Sequence, residues 1–203
     1  MSSYSLIERM RIPLSKIFGL ILLVFILFSS SRWEDVPLTG DLIFLIGCVF
    51  VGIGSLGRLW CSLYISGYKN DTLVTYGPYS ISRNPLYFFS LIGGIGVGLA
   101  TETVMIPLII VIMFLIYYPN IIKNEERRLL NIHGEEFKRY CNKTPSFIPK
   151  FSLFEETEEY TVNPKIFRKN IIRAVWFIWF LGIMEIIEAF HETGVLPIYF
   201  RIY

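Results

Sequence analysis

Apolar residues gather into five long runs along the chain, separated by polar segments of differing character. The runs extend from Ile17 to Ser30, Leu42 to about Tyr64, Pro85 to Ala100, Thr103 to Ile122 and Ile171 to Phe190, the last interrupted by Glu185 and Glu188. A helix needs about 20 mostly apolar residues to cross a hydrocarbon layer of roughly 30 Å, and these runs approach that length. They predict an all-α fold, a polytopic membrane helix bundle of about five transmembrane helices. Only a few residues, around Ala100 to Thr103, join the third and fourth runs, which predicts a tight antiparallel hairpin. The first run, preceded by Arg9, Arg11 and Lys16, is open to a second reading as a signal peptide, although "SSSRWEDVP" holds no clear A-x-A-like cleavage site.

Composition agrees with a membrane protein: 53% of the 203 residues are hydrophobic, 18% are charged and the mean hydropathy is positive. Lys and Arg favour cytoplasmic loops. Arg9, Arg11 and Lys16, then Arg58, Lys69 and Arg83, then the basic set from Lys123 to Arg173 all fall on one side. Glu34, Asp35, Asp41, Glu102 and the tail with His191, Glu192 and Arg201 fall on the other. This predicts a cytoplasmic amino terminus and a carboxyl terminus outside. A net charge of +2 with no compact basic patch gives no footprint for nucleic acid. Cys48, Cys61 and Cys141 lack metal-ligand spacing and read as packing residues.

Within the third run Ser90, Gly94 and Gly98 recur every fourth residue, with Gly93 and Gly96 thinning the same region. Small residues at this spacing let a neighbouring helix approach closely; clearance beside a ligand is the second reading. After the fourth run, "NEERRLLNIHGEEFKRYCNKTPSFIPK" places Leu129, Leu130, Phe137, Tyr140 and Cys141 at helical spacing among charges. Gly134 suits a helix end, and Pro145 and Pro149 stop the second piece. Two short amphipathic helices at the membrane surface are expected. His133, beside Gly134, reads as a helix-end residue rather than a base. The acidic "FEETEEYTVNP" is a solvated linker, and "KIFRKNIIR" is a basic flank to the last span. Carboxylates inside a membrane are costly and often functional: Glu185 and Glu188, about one turn apart, either both face the core of the bundle or, the reading preferred, Glu188 sits with His191 and Glu192 at the outer interface, leaving only Glu185 deep.

The segment with most chemistry is "DTLVTYGPYSISRNPLY", Asp71 to Tyr87. Pro78 after Gly77 forces a turn, and Pro85 biases Asn84 away from helix, so Asn84 is expected near an N-cap with Pro85 early in the third span. A helix start favours anions, and Arg83 adds a fixed charge there. Glu125 and Glu126 lie just past the end of the fourth span. The hairpin brings the start of one span and the end of the next to one membrane face, so loop and carboxylates are neighbours by topology. Together they suit a zwitterionic ligand.

"LVTYGPYSISRNPLY", a glycine-rich span, a hairpin, "EERRLL", "HGEEFKRY" and "PSFIP" in this order resemble the isoprenylcysteine carboxyl methyltransferase family and its phospholipid methyltransferase relatives. The similarity runs from about Gly57 to Pro149, with 150–170 as a linker and 171–190 as an additional carboxyl-terminal helix. The resemblance implies a membrane methyltransferase with S-adenosyl-L-methionine in a cytoplasmic pocket, closed by the loop and the amphipathic helices. It implies that Thr72, Leu73 and Val74 line the cofactor site, that Tyr79 packs on the cofactor, and that Asn84, Pro85, Leu86 and Tyr87 cradle it. Glu125 would hold a polar group, with Glu126 beside it. The acceptor would be lipophilic or lipidated and drawn from the lipid bilayer. Two departures stand out: Asn84 replaces the histidine of prenylcysteine enzymes, and Ile121 replaces an arginine four residues before Glu125, which puts a prenylcysteine carboxylate in doubt. A membrane sterol-type reductase using a nicotinamide dinucleotide, and a non-catalytic multi-pass scaffold, are the alternatives.

Overall fold

The computed structural model describes residues 6–36, 38–66 and 72–203; Lys69 and Asp71, which belong to the loop reading, lie outside them. The chain forms α1 (Leu6–Leu27), α2 (Thr39–Ile65), a single-turn α3 (Pro78–Ile81), α4 (Pro85–Leu99), α5 (Met105–Lys143) and α6 (Pro164–Glu192). Of these, α2, α5 and α6 are long and apolar enough to cross a membrane, whereas α4 and the apolar part of α1, Ile17–Leu27, are shorter. The architecture is an all-α membrane bundle.

The short helix is the central one. At 1.5 Å per residue, α4 with 15 residues reaches about 22 Å and α2 with 27 residues about 40 Å. A bilayer core is roughly 30 Å thick, so α4 is recessed between longer neighbours. It packs against α2, α5 and α6. Its contact with α2 is made by glycines from both helices. A Cβ placed on Gly54 would stand 2.5 Å from Cα of Gly93, and one on Gly47 would stand 2.8 Å from the Gly96 carbonyl oxygen. The expected stripe therefore divides: Gly96 faces α2, Gly93 lies with its backbone against Gly54 of α2 and its open side toward Phe177 of α6, and Gly94 and Gly98 meet Ile110 and Pro107 of α5. The glycines of α2 carried no signal at four-residue spacing, because Gly47 and Gly54 are seven apart.

The expected hairpin joins α4 to α5. The Ala100 N–H bonds back to the Gly96 carbonyl and the Thr101 N–H to the Gly98 carbonyl, and Glu102 at the turn takes a positive φ of 55°. The surface helix expected to begin after the fourth span is instead continuous with it, since α5 runs unbroken to Gly134, where φ 52° and ψ −121° break the helix. Left-handed backbone without a Cβ penalty explains glycine at that position. The last helix begins at Pro164, earlier than Ile171, because the Asn163 side chain caps it by accepting from the Lys165 and Ile166 N–H groups, at 3.1 and 3.3 Å.

At the hairpin end, β1 (Ser29–Ser31) pairs in parallel with β2 (Phe200–Ile202), and the Met105 N–H donates to the Tyr203 carbonyl at 2.8 Å. Nothing in the sequence pattern marks so short a ladder. Glu188 and His191 line a cavity of about 30 Å³ with Ser29, Ser30, Ser31 and Glu102, enough for one or two waters, whereas Glu185 is exposed on α6.

Replacing Gly54 with Ala forces apart two backbones that touch, so Gly54→Ala should lose about 1–3 kcal/mol and melt earlier in detergent. Gly52→Ala, where an added Cβ meets nothing within 4 Å, should leave the melting temperature unchanged or slightly raised.

Candidate active site

Two elements converge at the loop end of the bundle. The chain is extended from Thr72 to Thr75, with Thr72 exposed and Val74 buried, then turns at Gly77 into α3. Gly77 has φ 60°, and a side chain there would strike the Tyr64 ring, so only glycine fits on both counts. Pro78 begins α3 and Pro85 begins α4, each at a first-turn position where the missing N–H costs nothing. Asn84 stands at the start of α4 but its side chain does not cap the helix. The Tyr87 and Phe88 N–H groups turn onto the Asn84 carbonyl, which leaves the helix start with fewer free donors for an anion.

The Asn84 side chain goes across to α5. Glu126 Oε1 accepts from Arg83 Nε at 2.9 Å, from Asn84 Nδ2 at 3.2 Å and from Ser146 Oγ at 3.0 Å. Arg83 also donates to the Cys141 and Thr144 carbonyls at 2.9 and 2.8 Å, and its own N–H bonds the Pro145 carbonyl. The guanidinium therefore holds the carboxyl-terminal end of α5, where carbonyls lack helical partners. Arg83 and Glu126 tie the loop to the segment after α5.

Glu125 is differently placed. One oxygen accepts from the Tyr87 hydroxyl at 2.8 Å; the other lies 3.7 Å from Arg128, and the side chain keeps 29% of its exposure. The Tyr87 ring meets Tyr118 edge-on at 5.3 Å, and Tyr118 stacks on Phe114 at 4.0 Å. Tyr79 lies in the field of Glu125 and Tyr87, and its carbonyl accepts from the Tyr140 hydroxyl at 2.6 Å. Burial pushes the Tyr79 and Tyr140 phenols up, so both are protonated at neutral pH. A carboxylate oriented by a phenol and flanked by aromatic faces suits a cationic or hydroxyl-bearing ligand.

The structure thus joins Tyr79, Arg83, Asn84, Tyr87, Glu125 and Glu126 through side-chain contacts or a shared electrostatic field. Pro85 and Leu86 enter through the helix start, and Thr72, Leu73 and Val74 form the extended approach to it. Ile121 is buried at 4% exposure. Sequence reading missed Tyr118, seven residues before Glu125 and so on the same helical face, a spacing that was open to inspection. It also missed Ser146, which has no local signal. The acidic linker has exposed side chains, as expected, but it is also a strap: the Gly77 N–H donates to the Glu155 backbone carbonyl at 2.7 Å, and the Tyr64 hydroxyl donates to the Glu156 carboxylate at 2.6 Å. Lys143, 2.9 Å away, holds the exposed Glu155 carboxyl below its usual range.

A family model described as phospholipid methyltransferase matches residues 38–136, from the start of α2 to just past the Gly134 break. The cobalt-zinc-cadmium resistance protein CzcN of Cupriavidus metallidurans is 38% identical over 190 residues, covering 94% of this chain and 87% of that protein. The chain belongs to the phospholipid methyltransferase family. A second relative, the nickel-cobalt-cadmium resistance protein NccN of Alcaligenes xylosoxydans xylosoxydans, is 34% identical over 193 residues, covering 95% of this chain and 90% of that one. No solved structure matches the chain. Membership extends the resemblance seen in the motifs and gives the reductase alternative no support. The family match ends before Tyr140 and Ser146, so Arg83, Asn84 and Glu126 lie inside it while the partners they hold after α5 lie outside.

Loss of the Arg83 side chain leaves Glu126 and two helix-end carbonyls without their charged donor, so Arg83→Ala should cost about 2–3 kcal/mol of stability. Amide exchange over 144–147 should accelerate well before global unfolding in the variant, and remain slow in the parent protein.

Proposed function

We propose that this phospholipid methyltransferase family member is an S-adenosyl-L-methionine-dependent enzyme that methylates a lipid or lipid-like acceptor, with its cofactor site facing the cytoplasm. The observation that carries the reading is Glu125, a partly exposed carboxylate held by Tyr87 among aromatic rings, while one oxygen of its neighbour Glu126 accepts from Arg83, Asn84 and Ser146 together. A carboxylate acceptor so placed fits the cofactor's hydroxyl and ammonium groups, which donate. Bound there, the cofactor would supply a methyl group already activated by its sulfonium.

The protein's part is then positioning and exclusion of water. Glu125 would fix the cofactor's polar end, and Tyr87 would orient Glu125. Tyr79, Asn84, Pro85 and Leu86 would form the floor, and Thr72, Leu73 and Val74 the rim. The Arg83–Glu126 tie would keep the 144–147 segment closed over the site. The recessed start of α4 places this floor below the ends of α2 and α5, within reach of an acceptor arriving sideways from the bilayer.

Titration of the purified protein with S-adenosylmethionine and its demethylated product should give saturable binding, weakened about ten- to hundred-fold by Glu125→Ala, with no binding of a nicotinamide dinucleotide. A folded protein that binds neither sulfonium nor product would leave the scaffold reading in its place.

The relatives' names and their near full-length similarity favour a role in metal tolerance. That role and the methyltransferase reading meet in methylation of a membrane component. In a deletion strain stressed with cobalt or cadmium, wild-type protein should restore growth and Glu125→Ala should fail to do so.

A further inference from the structure

Arg58 lies on α2, about 10 Å from that helix's loop end at 1.5 Å per residue, and so inside the bundle. A guanidinium there is costly unless paired, yet among the described residues no carboxylate forms an ion pair with it. Its Nη1 donates to Ser90 Oγ on α4, and its guanidinium stands 5.5 Å from the centre of the Phe177 ring on α6. Its Nε is buried with no hydrogen-bond partner. The groups whose fields reach it are Tyr118 of α5, Cys61 of its own helix and Arg173 of α6, the last a like charge. One turn further in on the same helix, Ser55 is 5% exposed, and its hydroxyl too is buried and unpartnered. Arg58, with the like charge of Arg173 in its field, and the buried Ser55 hydroxyl thus lie along one stretch of α2, and among the described residues no carboxylate forms an ion pair with Arg58.

That region adjoins the candidate cofactor site. The Ser90 hydroxyl donates to the Leu86 carbonyl at 2.5 Å, so Arg58, Ser90 and the start of α4 form one chain of hydrogen bonds. Tyr118 touches both sides, standing edge-on to Tyr87 and in the field of Arg58. The helices α5 and α6 both pack on α4 and scarcely touch each other, which leaves the Ser90 face of α4 flanked rather than covered.

We infer that Arg58 is the head-group anchor of the acceptor: it binds an oxyanion, phosphate or carboxylate, carried on an apolar chain lying between α5 and α6, and holds that acceptor on the membrane side of Tyr87 and Glu125. The inference rests on the methyltransferase reading for its purpose, but its binding claim stands apart from the cofactor. Arg58 is a specificity residue here, with Arg173 raising the local positive potential.

The test compares dodecyl phosphate, dodecanoate, uncharged dodecanol and inorganic phosphate as ligands of the maltoside-solubilised protein, read by thermal stabilisation. The two anionic amphiphiles should bind the wild type at least tenfold more tightly than dodecanol. Arg58→Gln should remove that preference, Arg58→Lys should retain part of it because the charge stays while the fork is lost, and Arg173→Gln should weaken it two- to threefold. Affinity for the demethylated cofactor should stay within about threefold in Arg58→Gln, which separates an acceptor defect from misfolding. Equal binding of dodecanol and the anions by wild type, or an anion preference untouched in Arg58→Gln, overturns the inference. Inorganic phosphate binding as tightly as dodecyl phosphate also overturns it, in favour of a free-ion site. Failure of the wild type to bind cofactor or product would sink the methyltransferase reading and leave the amphiphile comparison intact. If Arg58→Gln does not fold, the wild-type preference and Arg58→Lys decide the matter.

Discussion

The bundle depends on how closely two backbones can approach at the crossing of α2 and α4. Gly54 lies against Gly93, and Gly47 against Gly96, with no side chain between them. Lipid tails are as apolar as the helices, so helix association in a bilayer comes from van der Waals packing and hydrogen bonding rather than from hydrophobic burial. A short helix has few turns over which to collect that packing. The glycines let α4 collect it at full contact on one face, while Gly94 and Gly98 do the same toward Ile110 and Pro107 on another. A 15-residue helix is thereby held at the centre, where its start serves as a floor to the candidate site.

From that floor the polar interactions follow a division of labour between adjacent glutamates. Glu126 gathers Arg83, Asn84 and Ser146 and so locks the α3 loop, the start of α4 and the chain after α5 into one unit. Glu125, one residue earlier and so about 100° around the helix, escapes this network and faces Tyr87. Neither role is visible in the pair "EE". The difference arises from the angular step of the helix and from which neighbour each carboxylate meets.

Much of this was open to sequence reading because it rests on local physics. Apolar run length marked the spans, the few residues around Ala100 to Thr103 marked the hairpin, and Pro78 and Pro85 marked two helix starts. The hairpin alone brought the loop near Glu125 and Glu126. The unbroken course of α5 was less accessible, since polar residues after Ile122 resemble a separate surface helix until the backbone is seen to continue. The strap at Glu155 and Glu156 was read only as charge, because its hold on the loop is made by a backbone carbonyl that any sequence offers, and its bond to Tyr64 joins residues far apart in the chain.

What the sequence by itself determined is the membrane class, the helix content, the hairpin and the set of residues at one end of it. Each follows from periodicity, span length and the fixed backbone demands of proline and glycine. Tertiary structure alone decided which glutamate is tied and which is available, that Gly54 and Gly47 answer Gly93 and Gly96, that β2 returns to β1, and that Arg58 stands among helices with no carboxylate paired to it among the described residues. Those outcomes depend on side chains distant in sequence meeting at hydrogen-bond or contact distance. No local pattern encodes such a meeting, because it is fixed only when all the helices have packed.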